Sequence, residues 1–381
     1  MFTRVHISKF RSCGNVELSQ LPFLTALIGR NGAGKTNILR AIRWLAATAI
    51  GVRPAHRMPF HGEQNVSVTV QLADSEFEYM VGVAFDHNRD GNITTSMSES
   101  LRTDGISINR DGQEVRLSFQ NEPIRITDGI ACMPAVMALF ADSPEAKHIE
   151  KLLTFLSSVH YYALDEPHFS PTDEWSLIST EAYKRWVAGI EGGAVGADVP
   201  MRLLHMHKTK RESFDEVLSL LGDDGIGLIR DITVAELGTN KNDKSEPFYL
   251  IRFVPSEQPE PDVGYNNLSA GTRRAVNLVV SMIYDESSVM LIEHPEDSIH
   301  GALLKKLVSI LRSYCDPMQA IITTHSTDVF DLLDAKEVRL VSMSHGVTSV
   351  RPLSSLETDA ACHFLQQDGS LSDFLEAVQE N

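Results

Sequence analysis

The glycine-rich run GRNGAGKT, residues 29–36, lies between an apolar segment and a segment with helical spacing. Its spacing is that of a phosphate-binding loop, in which small residues let several backbone N–H groups face an anion. Lys35 would reach the β- and γ-phosphates of a nucleoside triphosphate, and the Thr36 hydroxyl would ligate Mg²⁺. A chance glycine turn is the alternative, and the strand-to-helix context disfavours it. The candidate nucleotide-binding residues here are Gly29, Arg30, Asn31, Gly32, Ala33, Gly34, Lys35, Thr36 and Asn37.

A second candidate phosphate contact is the segment NNLSAGTRRAVNLVV, residues 266–280. Ser269 stands at the N-cap position of a predicted helix, and small residues around Gly271 expose the backbone of its first turn. A plain capped helix would show the same pattern. The phosphate loop upstream and an acid at the end of an apolar run downstream favour the functional interpretation.

That acid is Glu293, which follows the apolar run VMLI and precedes His294. If Glu293 is the metal-binding acid of a nucleotide hydrolase, its neighbour should be a carboxylate that activates water. A histidine stands there instead. A further histidine, His325, follows the apolar run QAIITT.

The elements that must position these residues are predicted from hydrophobic periodicity. Three β-type runs precede the phosphate loop, and the residues after it have helical spacing. Alternating pieces between residues 66 and 120 predict an antiparallel meander. Residues 129–223 read as mainly helical, with an exposed loop predicted at 190–200. The later alternation of strands and helices predicts a parallel sheet with covering helices.

Taken together, the motifs resemble those of SMC/RecF-like ABC-type ATPases, the group that includes the overcoming-lysogenization-defect (OLD) family and phage-defence ATPases. The segments that carry the resemblance are ISKFRSCGNVEL, LIGRNGAGKTNILRAI, LSAG, LIEHPEDSIH and IITTHSTDVFD. The resemblance implies an α/β P-loop NTPase of the ABC-ATPase head type. Its mixed sheet would be flanked by helices and would carry an antiparallel β meander and a helical insertion. The implied division is residues 1–125 and 246–381 for the two parts of the head and 126–245 for the insertion.

The resemblance also implies roles for single residues. Glu293 matches the Walker B acid that holds Mg²⁺, and His294 occupies the position of the catalytic glutamate. His325 matches the switch histidine that contacts the γ-phosphate and the attacking water; the alternative is an ordinary histidine at a strand end. Arg11 would border the nucleotide base. The implied cofactors are ATP and Mg²⁺.

Because His294 stands where the resemblance implies a catalytic carboxylate, we expect slow ATP hydrolysis. A neutral imidazole can accept a proton from water, but it is a different base from a carboxylate. Positioning and charge stabilisation dominate phosphoryl transfer, so the change should slow turnover rather than weaken binding. The resemblance further implies that the signature helix containing Ser269 closes on the γ-phosphate held by another subunit. We therefore expect an ATP-dependent homodimer or higher homo-oligomer.

Composition indicates a globular, cytoplasmic protein without membrane contact. Of the 381 residues, 43% are hydrophobic and 22% charged, enough for a full core. The net charge of −17 argues against a uniformly basic nucleic-acid binder. Four widely spaced cysteines indicate reduced thiols. No apolar run has membrane-spanning length, and the first residues lack a signal-peptide core.

One local basic stretch, MRLLHMHKTKR at residues 201–211, is a candidate contact for DNA phosphates or for a partner protein. A solvated helix end is the alternative. OLD proteins carry a Toprim nuclease, but no acidic Toprim constellation follows His325. We therefore expect a separate effector protein, with a nuclease as the candidate, in anti-phage defence.

Three hypotheses remain open from the sequence. The first is the ATPase switch that controls an effector. The second is a RecF-like DNA-repair ATPase whose ATP state governs DNA binding, which salt-dependent binding of duplex DNA would favour. The third is a nucleotide-binding scaffold that needs bound ATP and not turnover.

Overall fold

The computed structural model describes residues 1–52, 62–87, 93–127, 130–163, 177–189, 199–238, 247–256, 262–326, 329, 332–354 and 356–357. The chain forms two compact units. The first comprises Met1–Tyr161, Ser287–Ile292 and Cys315–Asn381, and the second comprises Tyr162–Glu286 and Glu293–Tyr314. The division into 1–125, 126–245 and 246–381 stays a prediction, because functional segments and compact units need not share bounds.

Strands and helices follow one another along the described residues. The strands are β1 Phe2–Phe10, β2 Cys13–Ser19, β3 Leu24–Ile28, β4 Gly62–Leu72, β5 Ser75–His87, β6 Ile93–Thr103, β7 Ile106–Asp111, β8 Glu114–Leu117, β9 Ile124–Arg125, β10 Val159–Ala163, β11 Leu177–Ser179, β12 Ile229–Leu237, β13 Phe248–Pro255, β14 Val289–Glu293, β15 Gln319–Thr324, β16 Val338–Ser344 and β17 Val347–Pro352. The helices are α1 Lys35–Ala49, α2 Cys132–Leu139, α3 Pro144–Ser157, α4 Thr180–Val187, α5 Val199–Thr209, α6 Arg211–Leu221, α7 Ala270–Tyr284 and α8 Gly301–Tyr314.

A large mixed sheet dominates the first unit. Its strand order is β10-β14-β15-β3-β16-β17-β2-β1-β4-β5-β6-β7-β8-β9. β3 pairs in parallel with both β15 and β16, as the strand–helix alternation predicts. From β1 through β4 to β9 the pairing is antiparallel, which confirms the predicted meander. β3, which precedes the phosphate loop, therefore lies well inside the sheet.

Helix α1 packs on this sheet through an apolar stripe. It contacts β1, β4, β5 and β15, and also α2 and α3. Ile38, Leu39, Ile42 and Leu45 recur at helical spacing and are fully buried in the common core. Burying each such side chain contributes about 1.5–3 kcal/mol relative to exposure. The first turn of α1 is thus anchored next to the phosphate loop.

Four of the described strands, β6, β9, β11 and β17, were not predicted from the sequence. The polar residues of β6, ITTSMSESLRT, obscure its alternation. β17 pairs with β16 as a hairpin. The two-residue turn of that hairpin is His345–Gly346, with φ of 51° and 78°. Positive φ at both central positions is typical of a two-residue hairpin turn. The glycine at the second position was the sequence signal for this turn.

The second unit contains a three-stranded antiparallel sheet in the order β11-β13-β12. Helices α5, α6 and α7 pack on one another, α5 contacts β13, and α6 contacts β12. The strands predicted from DITVAELG and FYLIRFV are confirmed as β12 and β13. The loop predicted at 190–200 lies largely outside the described residues.

The basic stretch 201–211 forms most of α5 and the start of α6, and one of its cations is not available to DNA. Arg202 is buried and bonds Asp285 at 3.0 Å and Ser281 at 3.1 Å. Lys210 pairs with Glu286 at 2.6 Å. As for membranes, none of the described helices is long and apolar enough to cross one.

Candidate nucleotide-binding site

The phosphate loop joins β3 to α1, and its glycines have distinct structural reasons. Gly32 and Gly34 have φ of 80° and 102°, in the left-handed region that favours glycine. A Cβ on Gly29 would overlap the carbonyl oxygen of Val341 in the neighbouring strand β16. The loop therefore needs glycine for backbone conformation at two positions and for close strand packing at the third.

Lys35 is the first residue of α1, and its ammonium lies inside the loop. Its Nζ donates to the carbonyl oxygens of Gly29 at 2.6 Å and Arg30 at 3.2 Å, and the side chain is 4% exposed. A buried ammonium close to the N-terminus of a helix makes an anion site. Thr36 and Asn37 follow in the first turn of α1 and are half-buried.

A set of side-chain hydrogen bonds supports the loop from outside. Thr348 of β17 donates through Oγ1 to the Ala33 carbonyl at 3.0 Å and lies 2.8 Å from Ser12 Oγ. Ser12 Oγ also accepts from Asn37 Nδ2 at 2.8 Å, and Asn37 Oδ1 accepts from Arg11 at 3.3 Å. Burial and then the nearby Arg40 lower the pKa of Arg11. Ser12 and Thr348 were missed in the sequence, where nothing marks a contact over such a separation.

His325 follows β15 directly and is exposed. In the parallel pairing of β15 with β3, Thr324 stands opposite Ile28. The two strands therefore end side by side, and His325 follows one of them where Gly29 follows the other. His325 and the phosphate loop therefore lie at the same edge of the sheet.

Glu293 is the last residue of β14, as the acid-terminated run predicts, and belongs to the second unit. It is 9% exposed, and among the described residues its buried Oε1 has no hydrogen-bond partner. A buried carboxylate oxygen without a partner is costly unless a cation or water completes it. Carboxylates are the protein ligands through which Mg²⁺ sites are built. The residue fits the metal that the motifs imply.

His294 has a left-handed backbone, with φ of 42°. Arg274 of α7 donates to its carbonyl oxygen at 2.7 Å and to that of Glu293 at 3.3 Å. The His294 Nδ1 lies 3.5 Å from Glu296 Oε1, a long contact. A proton on Nδ1 facing this carboxylate would leave Nε2 with the lone pair that a general base needs.

Ser269 and Gly271 lie at the start of α7, as predicted. Ser269 Oγ accepts from the Thr272 N–H at 3.1 Å, so the side chain is an N-cap. A Cβ on Gly271 would overlap the Ser298 carbonyl oxygen. Ser269 therefore does cap the helix. The start of α7 also packs closely on the chain just after Glu293.

Comparison with known proteins finds matches at both ends of the chain. Residues 4–134 match a family model described as an AAA domain, and residues 234–331 match one described as "AAA domain, putative AbiEii toxin, Type IV TA system". The Old nuclease of Escherichia phage P2 is 22% identical over 92% of this chain and 61% of that protein. The DNA replication and repair protein RecF of Enterobacter sp. (strain 638) is 32% identical over 24% of this chain and 26% of that protein.

A solved structure gives the fold. The crystal structure of an SMC head bound to the C-winged helix domain of ScpA has a TM-score of 0.54 with 15% identity and covers 94% of this chain and 99% of that chain. The chain is a relative of the OLD and SMC/RecF ATPases. The predicted ABC-ATPase head fold, an α/β mixed sheet flanked by helices, is confirmed. The chain spans about six-tenths of the length of the phage P2 OLD protein.

In this OLD and SMC/RecF relative, the predicted site residues fall into two local groups. Residues 29–37 and His325 belong to the first unit, where the β3–β15 pairing brings them to one level of the sheet. Ser269, Gly271 and Glu293–His294 belong to the second unit, where Arg274 ties α7 to the segment after β14. Arg274 was missed by sequence reasoning, because an arginine inside a helix has no distinctive pattern.

Proposed function

We propose that the chain binds ATP with Mg²⁺ and hydrolyses it slowly. The buried Lys35 ammonium inside a glycine-rich loop at the start of α1 is the observation that carries the proposal. On ATP binding, Lys35 would exchange the Gly29 and Arg30 carbonyls for phosphate oxygens. The loop N–H groups of residues 29–37 and the N-terminus of α1 would hold the remaining phosphate charge.

Thr36 and Glu293 are the proposed residues for the metal. Mg²⁺ bound with ATP supplies neutralisation of the charge that develops on the phosphates. In this proposal the Thr36 hydroxyl would ligate the ion and Glu293 would hold it through water. Among the described residues the buried Oε1 of Glu293 has no hydrogen-bond partner, which supports this assignment.

His294 is the proposed base, and His325 is proposed to orient the attacking water and contact the γ-phosphate. Imidazole accepts a proton near neutral pH, but it lacks the negative charge with which a carboxylate stabilises the departing proton. Slow turnover follows from that difference, whereas ATP binding depends on the phosphate loop and stays tight. A separate effector would read the long-lived ATP state, which a homodimer or higher homo-oligomer would hold through Ser269 and Gly271.

The effector is proposed from similarity to proteins named as nucleases. The role in anti-phage defence is proposed from the resemblance of the motifs to those of phage-defence ATPases. In the alternative, a RecF-like ATPase, the ATP state governs DNA binding; similarity to RecF proteins over a quarter of the chain supports it. Two assays on the purified chain separate these proposals. ATP-dependent, salt-sensitive duplex binding favours the RecF-like role. Nuclease activity in the chain itself contradicts a separate effector.

Lys35→Ala tests the core of the proposal by calorimetric titration with ATP and Mg²⁺. Losing charge-assisted bonds to phosphate should weaken binding by about 10- to 100-fold. Lys147→Ala, at an exposed lysine of α3, is the matched control and should bind as the wild type does. Equal affinity of wild type and Lys35→Ala would reject the assignment of the loop.

A further inference from the structure

Thr348 contacts the phosphate loop although no motif includes it. It lies in β17, is 1% exposed, and its hydroxyl donates to the Ala33 carbonyl at 3.0 Å in a buried hydrogen bond. Its backbone N–H donates to the Ser12 carbonyl at 2.8 Å, which fixes β17 against the turn between β1 and β2. The backbone contact therefore holds Thr348 in place beside the phosphate loop.

The hydrogen bonds that lead to the Ala33 carbonyl form a series in which each side chain donates to the next. A hydroxyl has one proton, and the proton of Thr348 is used on Ala33. Ser12 must then donate its own proton to Thr348 Oγ1, across 2.8 Å. Asn37 Nδ2 donates to Ser12 Oγ, and Arg11 donates to Asn37 Oδ1. Because these hydrogen bonds begin at a charged guanidinium and all have the same donor direction, each bond polarises and strengthens the next.

This contact fixes the direction of one N–H group in the loop. The Ala33 carbonyl and the Gly34 N–H belong to one planar trans peptide and point in opposite directions. When Thr348 holds the carbonyl, the Gly34 N–H must point away from β17. Gly34 has no Cβ and a φ of 102°, so its own backbone restricts this orientation little. A Cβ at Gly34 would also overlap the Thr348 hydroxyl.

We propose that Thr348 is a positioning residue for nucleotide binding: it aims the Gly34 N–H at the phosphates by pinning the Ala33 carbonyl. The proposal rests on the proposed ATP-binding function of the loop. Orientation of a phosphate-facing N–H acts on the bound ground state and the transition state alike. Its loss should therefore raise the dissociation constant and KM for ATP and leave kcat nearly unchanged.

Thr348→Val tests the proposal because it keeps the shape of the side chain and removes the hydroxyl. We expect the dissociation constants of ATP and ADP to rise about tenfold, since a buried carbonyl loses its donor and the loop loses an aimed N–H. Thr348→Ser retains the hydroxyl and should restore affinity to within about twofold of the wild type. Thr25→Val, at another buried threonine near the far end of β3, is the matched control and should bind normally.

The outcomes distinguish this proposal from the function on which it rests. If the wild type binds ATP, Lys35→Ala does not, and Thr348→Val binds as the wild type does, the positioning role is wrong and the ATP site stands. If wild type and Lys35→Ala bind equally, the ATP site itself is wrong. A drop in kcat at unchanged KM, with the same drop in Thr348→Ser, would indicate a folding defect and overturn the proposal. Should Thr348→Val fail to fold, Thr348→Ala removes the same hydroxyl without the β-branch, and normal ATP affinity there would also overturn the proposal.

Discussion

At the scale of single residues, the least ordinary feature of the meander is a fully buried ion pair. The Arg110 guanidinium contacts Glu99 Oε1 at 3.0 Å, and neither side chain is exposed. Glu99 also accepts from the Tyr79 hydroxyl at 3.0 Å and from the Cys132 N–H at 3.1 Å, which joins β5, β6 and β7 to the start of α2. Burial nevertheless raises the pKa of Glu99. The pair therefore aligns these elements at a desolvation cost.

Arg110→Met should destabilise the folded protein by about 3–5 kcal/mol, because it leaves the Glu99 carboxylate buried without its cation. The pKa of that carboxyl then stands further above its unfolded value. Its protonated form favours the fold, so the deficit should shrink as the pH falls from 8 towards 5. Urea unfolding at both pH values measures this. The double variant Glu99→Gln/Arg110→Met should recover part of the loss, and a deficit below about 1 kcal/mol would contradict the account.

At the scale of elements, the start of α7 combines a structural and a proposed functional role. Ser269 caps the helix, and the absence of a Cβ on Gly271 allows close packing on Ser298. Helix capping alone is enough to explain the contribution of Ser269 to folding. Only a charge-changing substitution separates the cap from a contact with phosphate.

Ser269→Asp is that substitution. Aspartate caps as well as serine does, so the free energy of unfolding should change by less than about 0.5 kcal/mol, whereas Ser269→Ala should lose about 1 kcal/mol. The added negative charge should weaken ATP-dependent self-association, because it would face the γ-phosphate of another subunit. Sedimentation with ATP and with ADP measures association. Unimpaired ATP-dependent association of Ser269→Asp would leave α7 with the capping role alone.

How much the sequence predicts differs from element to element. The segments β1, β2, β3 and α1 follow from periodicity because their buried positions are apolar. β6 escaped prediction because one of its core positions holds Glu99, whose partner Arg110 lies in another strand. The phosphate loop is local and could be identified, whereas Thr348 meets Ala33 across 315 residues and could not. Local patterns were readable, and the polar contacts that depend on tertiary structure were not.

At the scale of the whole molecule, the chain divides its proposed catalytic residues between two compact units. The first unit contributes the phosphate loop and His325, and the second contributes Ser269, Gly271, Glu293 and His294. In the proposed mechanism, His294 stands where a carboxylate would activate water. The central claim is that the phosphate loop binds ATP tightly and that His294 makes its hydrolysis slow.

Single-turnover hydrolysis of ATP by wild type and His294→Glu, with Lys35→Ala as the binding-deficient control, tests this claim most directly. The account predicts comparable ATP affinity for wild type and His294→Glu, with hydrolysis about 10- to 100-fold faster in His294→Glu because a carboxylate base is restored. Equal hydrolysis rates in the two proteins would contradict it.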